Sequence, residues 1–413
     1  MAYNKTEHLR RNIEAIRTAF ALEREQRAAT PEERDVLRAY SGFGAIKEVL
    51  EPLPHKKETA LTPLIEELHA VLKENTGGER EYKRYLDGLK ASVLTAFYTP
   101  EPVTDAIMRM LYNAGVVPVR ALEPSAGTGA FAEYLRRYNE EAEITCFEKD
   151  PLTVLILHRL HPDDTVRVQG FETIEPAYEG HFDLITSNIP FGDVSLFDPA
   201  FSSSRDPVRR QGAWAIHNYF FMKSVDLVRD GGLVAFITSQ GVADAERNRP
   251  VREWLMERCD LVAAVRLPNN LFTDHAGTEV GSDLIVLQKN SAARPLSERQ
   301  RDFIETRTLS NGITVNNSFQ SLDRVVQTSA KVGTNPYGKP AMEFTHAGGV
   351  EGIARALADM LAEDMERHFN RELYESHAPK TAPRQYREWQ TETVSPRQAH
   401  DDIGQARNTE LSG

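Results

Sequence analysis

ALEPSAGTGAFAEYL, residues 121–135, reads as an apolar strand, a glycine turn and the start of an amphipathic helix. Gly127 and Gly129 allow positive φ and let the backbone approach a ligand closely. The helix beginning near Ala130 leaves its first N–H groups facing that ligand. Read alone, Gly127-x-Gly129-x-x-Ala132 also satisfies the dinucleotide-binding fingerprint. Nineteen residues after Gly129 comes Glu148, closing the next apolar run, ITCFEKD. A carboxylate there can accept both hydroxyls of a ribose. The pair therefore indicates an adenosine-containing cofactor and leaves nicotinamide, flavin and S-adenosylmethionine (SAM) cofactors open. Glu123, at the tip of the first strand, narrows the choice: an acid beside the cradle repels a pyrophosphate and attracts an ammonium, which SAM carries and dinucleotides do not. The bland alternative is a tight strand-to-helix turn with a solvated Glu148.

Outward from this turn, residues 96–290 alternate strands with helices. The strand candidates are VRALEPS (119–125), AEITCFEK (142–149), TVRVQG (165–170), HFDLITSN (181–188), GGLVAFITS (231–239), DLVAAVRLP (260–268) and SDLIVLQK (282–289). Helical patterns such as GAFAEYLRRYN, PLTVLILHRL and NYFFMKSVDLVRD separate most of them. That alternation predicts an α/β, doubly wound, Rossmann-like sheet of seven strands. A loop without a clear helix joins the last two runs, which fits an antiparallel last strand.

A helical N-terminal region is predicted over 1–95, with Thr6 and Thr30 as caps, Pro31 at the first helical position, and Thr62 preceding Pro63 at another helix start. YSGFGAIKE (40–48) is either an interhelical turn or a lid bringing Tyr40 and Phe43 over the cofactor pocket. Residues 291–376 form a mixed C-terminal extension with one strong amphipathic helix in EGIARALADMLAEDMERHF (351–369), and 377–413 a polar, flexible tail.

Composition sets outer bounds. The 413 residues are 40% hydrophobic and 27% charged, a globular balance. The net charge of −12 excludes a polycation that coats nucleic acid but leaves room for a local basic groove. Cys146 and Cys259 lie in apolar runs and read as reduced core residues, with no metal site indicated. The polar start and the lack of any run of about 18 apolar residues give a cytoplasmic expectation.

The fourth strand ends unusually. HFDLITSNIPFGD (181–193) delivers Asn188, Ile189, Pro190 and Phe191 to the carboxyl end of the sheet, where ligands of open α/β folds bind. An exocyclic amino group conjugated to a ring is a poor nucleophile because its lone pair is delocalised. The Asn188 side-chain oxygen and a backbone carbonyl can accept its two N–H bonds and stabilise the positive charge that develops on attack. Pro190 fixes the turn so that the Ile189 carbonyl points inward, and Phe191 stacks on the ring. No titrating base is needed. A proline turn capping a strand is the plain alternative.

FYTPEPVTDAI, LEPSAGTGAF, CFEKD and SNIPFG, in that order, resemble the SAM-dependent adenine-N6 DNA methyltransferases of the gamma arrangement, related to type I modification subunits. YSGFGAIKE, SNIPFGD and HNYFFMKSVDLVRDGGLVAFITS also resemble the methylase portion of large methylase–helicase proteins of mobile elements. The resemblance implies restriction-modification chemistry on DNA, with SAM as cofactor and a helicase region or subunit as a partner. It places Thr99 and Pro100 at the methionine carboxylate, helped by the backbone of Ser125, Ala126, Gly127 and Gly129. It puts Glu123 at the methionine amino group, Glu148 at the ribose, and Phe171 against the cofactor adenine. Asn188, Ile189, Pro190 and Phe191 become the target-adenine site. Two departures stand out: Ile189 replaces the family's first proline, and Gly170 replaces an acid before Phe171, with Glu172 as a candidate substitute.

A target base inside a duplex must be flipped out, or already be single-stranded, to reach such a site. FSSSRDPVRRQGAW (201–214) offers Arg205, Arg209 and Arg210 to phosphates, beside Trp214. The chain after the sheet is thin for a target-recognition domain, so low sequence specificity is expected. Phe272 is a second stacking ring or, more ordinarily, core. The competing functions are a protein glutamine-N5 methyltransferase, a non-catalytic SAM-binding or antirestriction protein, and, more distantly, an NAD-dependent oxidoreductase.

Overall fold

All seven apolar runs become strands of one sheet. The computed structural model describes residues 4–44, 46–51, 53, 58–95, 98–192, 194–273, 279–334, 338 and 340–379. The strands are β1 (Arg120–Glu123), β2 (Glu143–Phe147), β3 (Thr165–Arg167), β4 (Phe182–Asn188), β5 (Val228–Ser239), β6 (Cys259–Leu267) and β7 (Ser282–Lys289). Their order is β3-β2-β1-β4-β5-β7-β6. The pairs β1/β2, β1/β4, β2/β3 and β4/β5 are parallel, while β7 runs antiparallel to both β5 and β6. This is an α/β Rossmann-like methyltransferase sheet with its last strand reversed. The strand order turns back between β1 and β4, so a crevice opens at their carboxyl ends.

The strands are apolar throughout because both faces are covered. Leu184, Leu233 and Ala235 point into one core cluster, and their neighbours Ile185, Val234 and Phe236 into the other. Cys146 and Cys259 are buried in these two clusters respectively.

Asp183 fastens the amino ends of the central strands. It is 1% exposed and accepts from Val119 N (2.9 Å), Arg120 N (2.8 Å) and the buried Arg229 Nε (2.5 Å). Asp183→Ala would strand a buried guanidinium and two backbone donors. The expected cost is about 3–5 kcal/mol, read as a lower urea midpoint at unchanged m-value.

Seven helices precede or interleave the first strands: α1 (Lys5–Glu25), α2 (Pro31–Arg38), α3 (Thr62–Glu74), α4 (Glu79–Thr95), α5 (Glu101–Asn113), α6 (Ala130–Tyr138) and α7 (Pro151–Leu160). Thr30 caps α2 in a capping box with Glu33, behind Pro31. Two cap expectations shift. Asn4, not Thr6, caps α1 by accepting from Thr6 N and Glu7 N. Thr62 is the first residue of α3, and its hydroxyl accepts from Thr59 N at 3.0 Å. In α1 the cause is that Asn and Thr compete for the same orphan donors, and the chain's entry path selects Asn4; α3 has Leu61 at its N-cap and no side-chain cap.

The N-terminal helices pack onto α7, where Leu152, Leu155, Ile156 and Leu160 join Leu9, Ile13, Ile16 and Ile65 in one cluster. At Gly88 of α4 a Cβ would overlap the Asp150 carboxylate and lie 3.1 Å from Pro151 Cδ, so only glycine permits this approach. Tyr40 and Phe43 are buried in the same region. Asn12 holds their turn by accepting from Ser41 N at 3.0 Å and donating to Gly42 O. Ala45 of that stretch lies outside the described residues.

From the C-terminal extension, the helix Gly349–His368 lies on the sheet. Its Ile353, Leu357, Leu361 and Met365 enter the cluster that holds Val103, Ile107 and Leu111 of α5 and Val262 and Val265 of β6. Of residues 377–413, read from sequence as a flexible tail, 380–413 lie outside the described residues. Among the described residues, no helix is long and apolar enough to cross a membrane.

Candidate active site

The loop between β1 and α6 is pinned from both sides. Ala126 N donates to Phe147 O at 2.9 Å, and Ser187 Oγ donates to Ser125 O at 3.0 Å. Gly127 (φ +55°) and Gly129 (φ +85°) both take left-handed backbone, but for different reasons. A Cβ at Gly127 would come 3.0 Å from Tyr98 Cε1, so the Tyr98 ring lies against the loop. A Cβ at Gly129 would overlap His161 and Leu157, and His161 Nε2 sits 3.1 Å from Thr128 O. Gly129 thus seats the loop on α7 and does not line the cleft, whereas Gly127 does.

The cleft holds a cavity of about 200 Å³ and is partly open to solvent. Thr99, Glu123, Ser125, Ala126, Gly127, Glu148, Phe171, Asn188, Pro190 and Phe191 all line it, so residues from all four motifs meet with Phe171 in one cavity. Pro100 sits behind it as the N-cap of α5. Ile189 is 1% exposed, with its N–H donating to Ile237 O at 3.0 Å, so its side chain is core. Phe272 is also core, with its ring centroid 6.5 Å from that of Phe191. Tyr40 and Phe43 do not line the cleft. They back its wall, Tyr40 Oη 3.4 Å from Thr153 Oγ1 and Phe43 N donating to Ser92 Oγ at 3.1 Å.

Carboxyl groups dominate the polar lining. Glu148 accepts from Gly127 N (2.9 Å), Lys149 N (2.8 Å) and Asp150 N (2.8 Å), bridging the glycine loop to the end of β2. Glu123 accepts from Ala132 N at 2.9 Å and so caps the first turn of α6. Burial pushes the Glu123 carboxyl well above the usual carboxylate range, against the pull of the Ala132 and Phe131 N–H groups. Burial also raises Glu148, with Asp150 adding like-charge repulsion, and raises Asp150 itself. Two buried acids and the part-buried Glu148 around one cavity favour a ligand that brings positive charge. The Thr99 hydroxyl is buried against the cleft with no hydrogen-bond partner among the described residues. Such an atom is satisfied by a ligand that accepts there. Both observations fit SAM, whose sulfonium and ammonium are cationic and whose carboxylate is an acceptor.

Phe171 is buried among Phe147, Tyr219 and Phe220, its ring 4.9 Å from that of Phe220, with one edge on the cleft. At the neighbouring departure, the Glu172 carboxylate folds over Gly170 and fills the space a side chain there would take. Several lining residues were not singled out from sequence: Tyr98, Asp150, Thr153 and Gln169, and an apolar lip of Val194, Leu196, Ile216 and Phe220. Asp150 carried a legible signal, since Asp before Pro151 marks a helix N-cap, and its carboxylate does accept from Thr153 N at 3.2 Å.

The arginine set needs one correction. Arg209 makes a bidentate pair with Asp226 (2.9 and 2.7 Å) and stacks 4.3 Å over Phe201, so it braces the loop and is withdrawn from phosphate binding. Arg205 and Arg210 are exposed. Among the described residues, no cluster of His, Cys, Asp or Glu has metal-holding geometry.

The chain is 26% identical over 209 residues to Defense against restriction protein B of Escherichia phage P1, covering 50% of this chain and 9% of that protein. It is 26% identical over 239 residues to Type II methyltransferase M.XamI of Xanthomonas campestris pv. amaranthicola, covering 55% of this chain and 44% of the relative. The chain thus spans less than half the length of these two curated relatives. Among solved structures, the type IIG restriction endonuclease BpuSI superposes with a TM-score of 0.40 at 16% identity, over 70% of this chain and 38% of that one. Residues 87–331 take in the Thr99 wall, the glycine cradle, the Asn188 tip and the whole sheet, and over that stretch the sequence matches N-6 DNA Methylase, the family to which this chain belongs.

Proposed function

We propose that this chain transfers a methyl group from SAM to the N6 amino group of adenine in DNA. The observation that carries the reading is the meeting of an acid-and-glycine cradle with the Asn188–Phe191 strand tip in one cleft. When bound, SAM supplies a methyl group made electrophilic by sulfonium charge. Glu148 takes the ribose hydroxyls, Thr99 and the Gly127 backbone the methionine carboxylate, and Glu123 the methionine ammonium. Phe171 packs the cofactor adenine, and Glu172 substitutes for the acid missing at 170.

On the substrate side, the Asn188 amide oxygen and the Ile189 carbonyl accept the two N–H bonds of the target amino group. They draw its lone pair out of conjugation and stabilise the charge it gains. Phe191 stacks on the purine, and the nitrogen releases one proton to solvent. Glu123 counts against a dinucleotide in the same cleft, since an acid beside the cradle repels a pyrophosphate. Family membership favours DNA over a glutamine side chain as substrate. We read the activity as weakly sequence-specific and cytoplasmic, with a helicase region or subunit as partner. The name of the phage P1 relative supports a protective role for the mark on mobile DNA.

The test is incubation with methyl-labelled SAM and single-stranded DNA, duplex DNA or a glutamine-bearing peptide. Label in N6-methyladenine is the expected result. Label absent from every DNA form would remove the reading, and label on the peptide would replace it with the glutamine alternative.

A further inference from the structure

Val194, Phe197 and Trp214 are the most exposed large hydrophobic side chains among the described residues, at 60%, 76% and 66%. They sit together. Leu196 N donates to Ala213 O at 2.9 Å and Ser195 Oγ to Trp214 O at 3.4 Å, so the segment after the strand tip runs beside the end of the arginine loop. Val194 and Leu196 line the cleft, so the patch borders its mouth.

The ground beneath the two rings is firmly built. Asp198 accepts from Ala200 N (2.7 Å), Tyr219 Oη (2.7 Å) and Lys223 Nζ (3.1 Å). Asp206 accepts from Val208 N (2.8 Å) and Trp254 Nε1 (3.0 Å), and Arg209 is locked to Asp226. The surrounding loop therefore fixes Phe197 and Trp214 outward on a braced surface. Large apolar side chains left this exposed on adjoining segments point to a binding surface.

Its chemistry selects the occupant. Two flat aromatic side chains offer π-faces on which any nucleobase stacks, and the exposed Arg205 and Arg210 of the same loop can meet phosphates. The position does so as well: a base entering the cleft leaves neighbours that have lost a stacking partner at its mouth. We propose that Phe197 and Trp214 form a base-stacking platform that holds the nucleobases next to the target adenine. The inference rests on the adenine reading above and adds the residues by which unpaired DNA is held. Stacking is indifferent to base identity, which accounts for weak sequence preference.

The test uses the full chain and a single-stranded oligodeoxynucleotide carrying one adenine in a thymine run. Binding is followed by anisotropy and transfer by label incorporation. Phe197→Ala and Trp214→Ala are each expected to weaken oligonucleotide binding and raise KM for DNA by about tenfold. SAM affinity, thermal midpoint and kcat at saturating DNA stay unchanged, and Phe197→Tyr and Trp214→Phe restore most of the loss. Salt dependence separates stacking from charge: the alanine variants keep the wild-type slope, while Arg205→Ala and Arg210→Ala each lower it by about one.

Alanine variants that bind and turn over DNA like wild type would overturn the platform and leave the patch to a protein partner. If the wild type binds the oligonucleotide, the variants lose that binding and adenine is never methylated, the platform stands and the adenine reading falls. A wild-type chain that binds no oligonucleotide at all overturns the platform as well.

Discussion

Asn188→Ala is expected to lower kcat for methyl transfer by about 10²–10³-fold, the usual cost of removing one preorganised group that stabilises transition-state charge. The loss should fall on kcat, with SAM affinity unchanged, because Asn188 sits at the end of β4 and Glu148 at the end of β2, on different walls of the cleft. KM for DNA should move little, since Phe191 still stacks and only the acceptor is gone. Single-turnover rates with prebound SAM isolate the effect from product release. Asn188→Asp is the sharper companion, because it keeps an acceptor while adding charge. A variant that retained wild-type turnover would remove Asn188 from the chemistry.

Glu148→Ala should act on the other half of the reaction. Two ribose hydroxyls donating to one carboxylate contribute about 1.5 kcal/mol each, so losing both weakens SAM binding by about 10²-fold. A second effect adds to this, since Glu148 also holds Gly127 N at 2.9 Å and so sets the position of the cradle. Calorimetric titration with SAM measures the sum, and Glu148→Gln, which keeps one acceptor, should fall between. The pH dependence has a definite sign. Burial raises this carboxyl, so the protonated form persists to higher pH than for an exposed glutamate. The acceptor-only form is present above that raised pKa and lost below it. Wild-type affinity should therefore fall on acidification, starting above the ordinary glutamate range, and the alanine variant should lack the Glu148 share of that fall while keeping the share of Glu123.

The sheet was legible because burial on both faces leaves a mark that needs no tertiary knowledge: runs such as LVAFIT and DLIVL can only sit between two layers. The cradle was legible because glycines at fixed spacing after a strand have few other uses. Other features needed the third dimension. Tyr98 lies across Gly127 in the fold, yet it sits in sequence as one ring among FYTP. Arg209 read as a free cation because its partner Asp226 lies in the next long helix, and a loop arginine looks alike whether paired or not. Amphipathicity showed that the helix Gly349–His368 must bury one face but could not say against what. Glu172 is intermediate: a displaced acid beside Gly170 was visible, while its folding back into the vacant space was not.

The seating of that late helix against α5 and β6 sets where the methylase unit can be cut. A transplant ending after β7 at Lys289 would expose Val103, Ile107, Leu111, Val262 and Val265 to water and invite aggregation. During synthesis, too, α5 must wait through more than half the polypeptide for its partner to leave the ribosome. The last layer of this core is thus added long after the residues that line the cleft have been made.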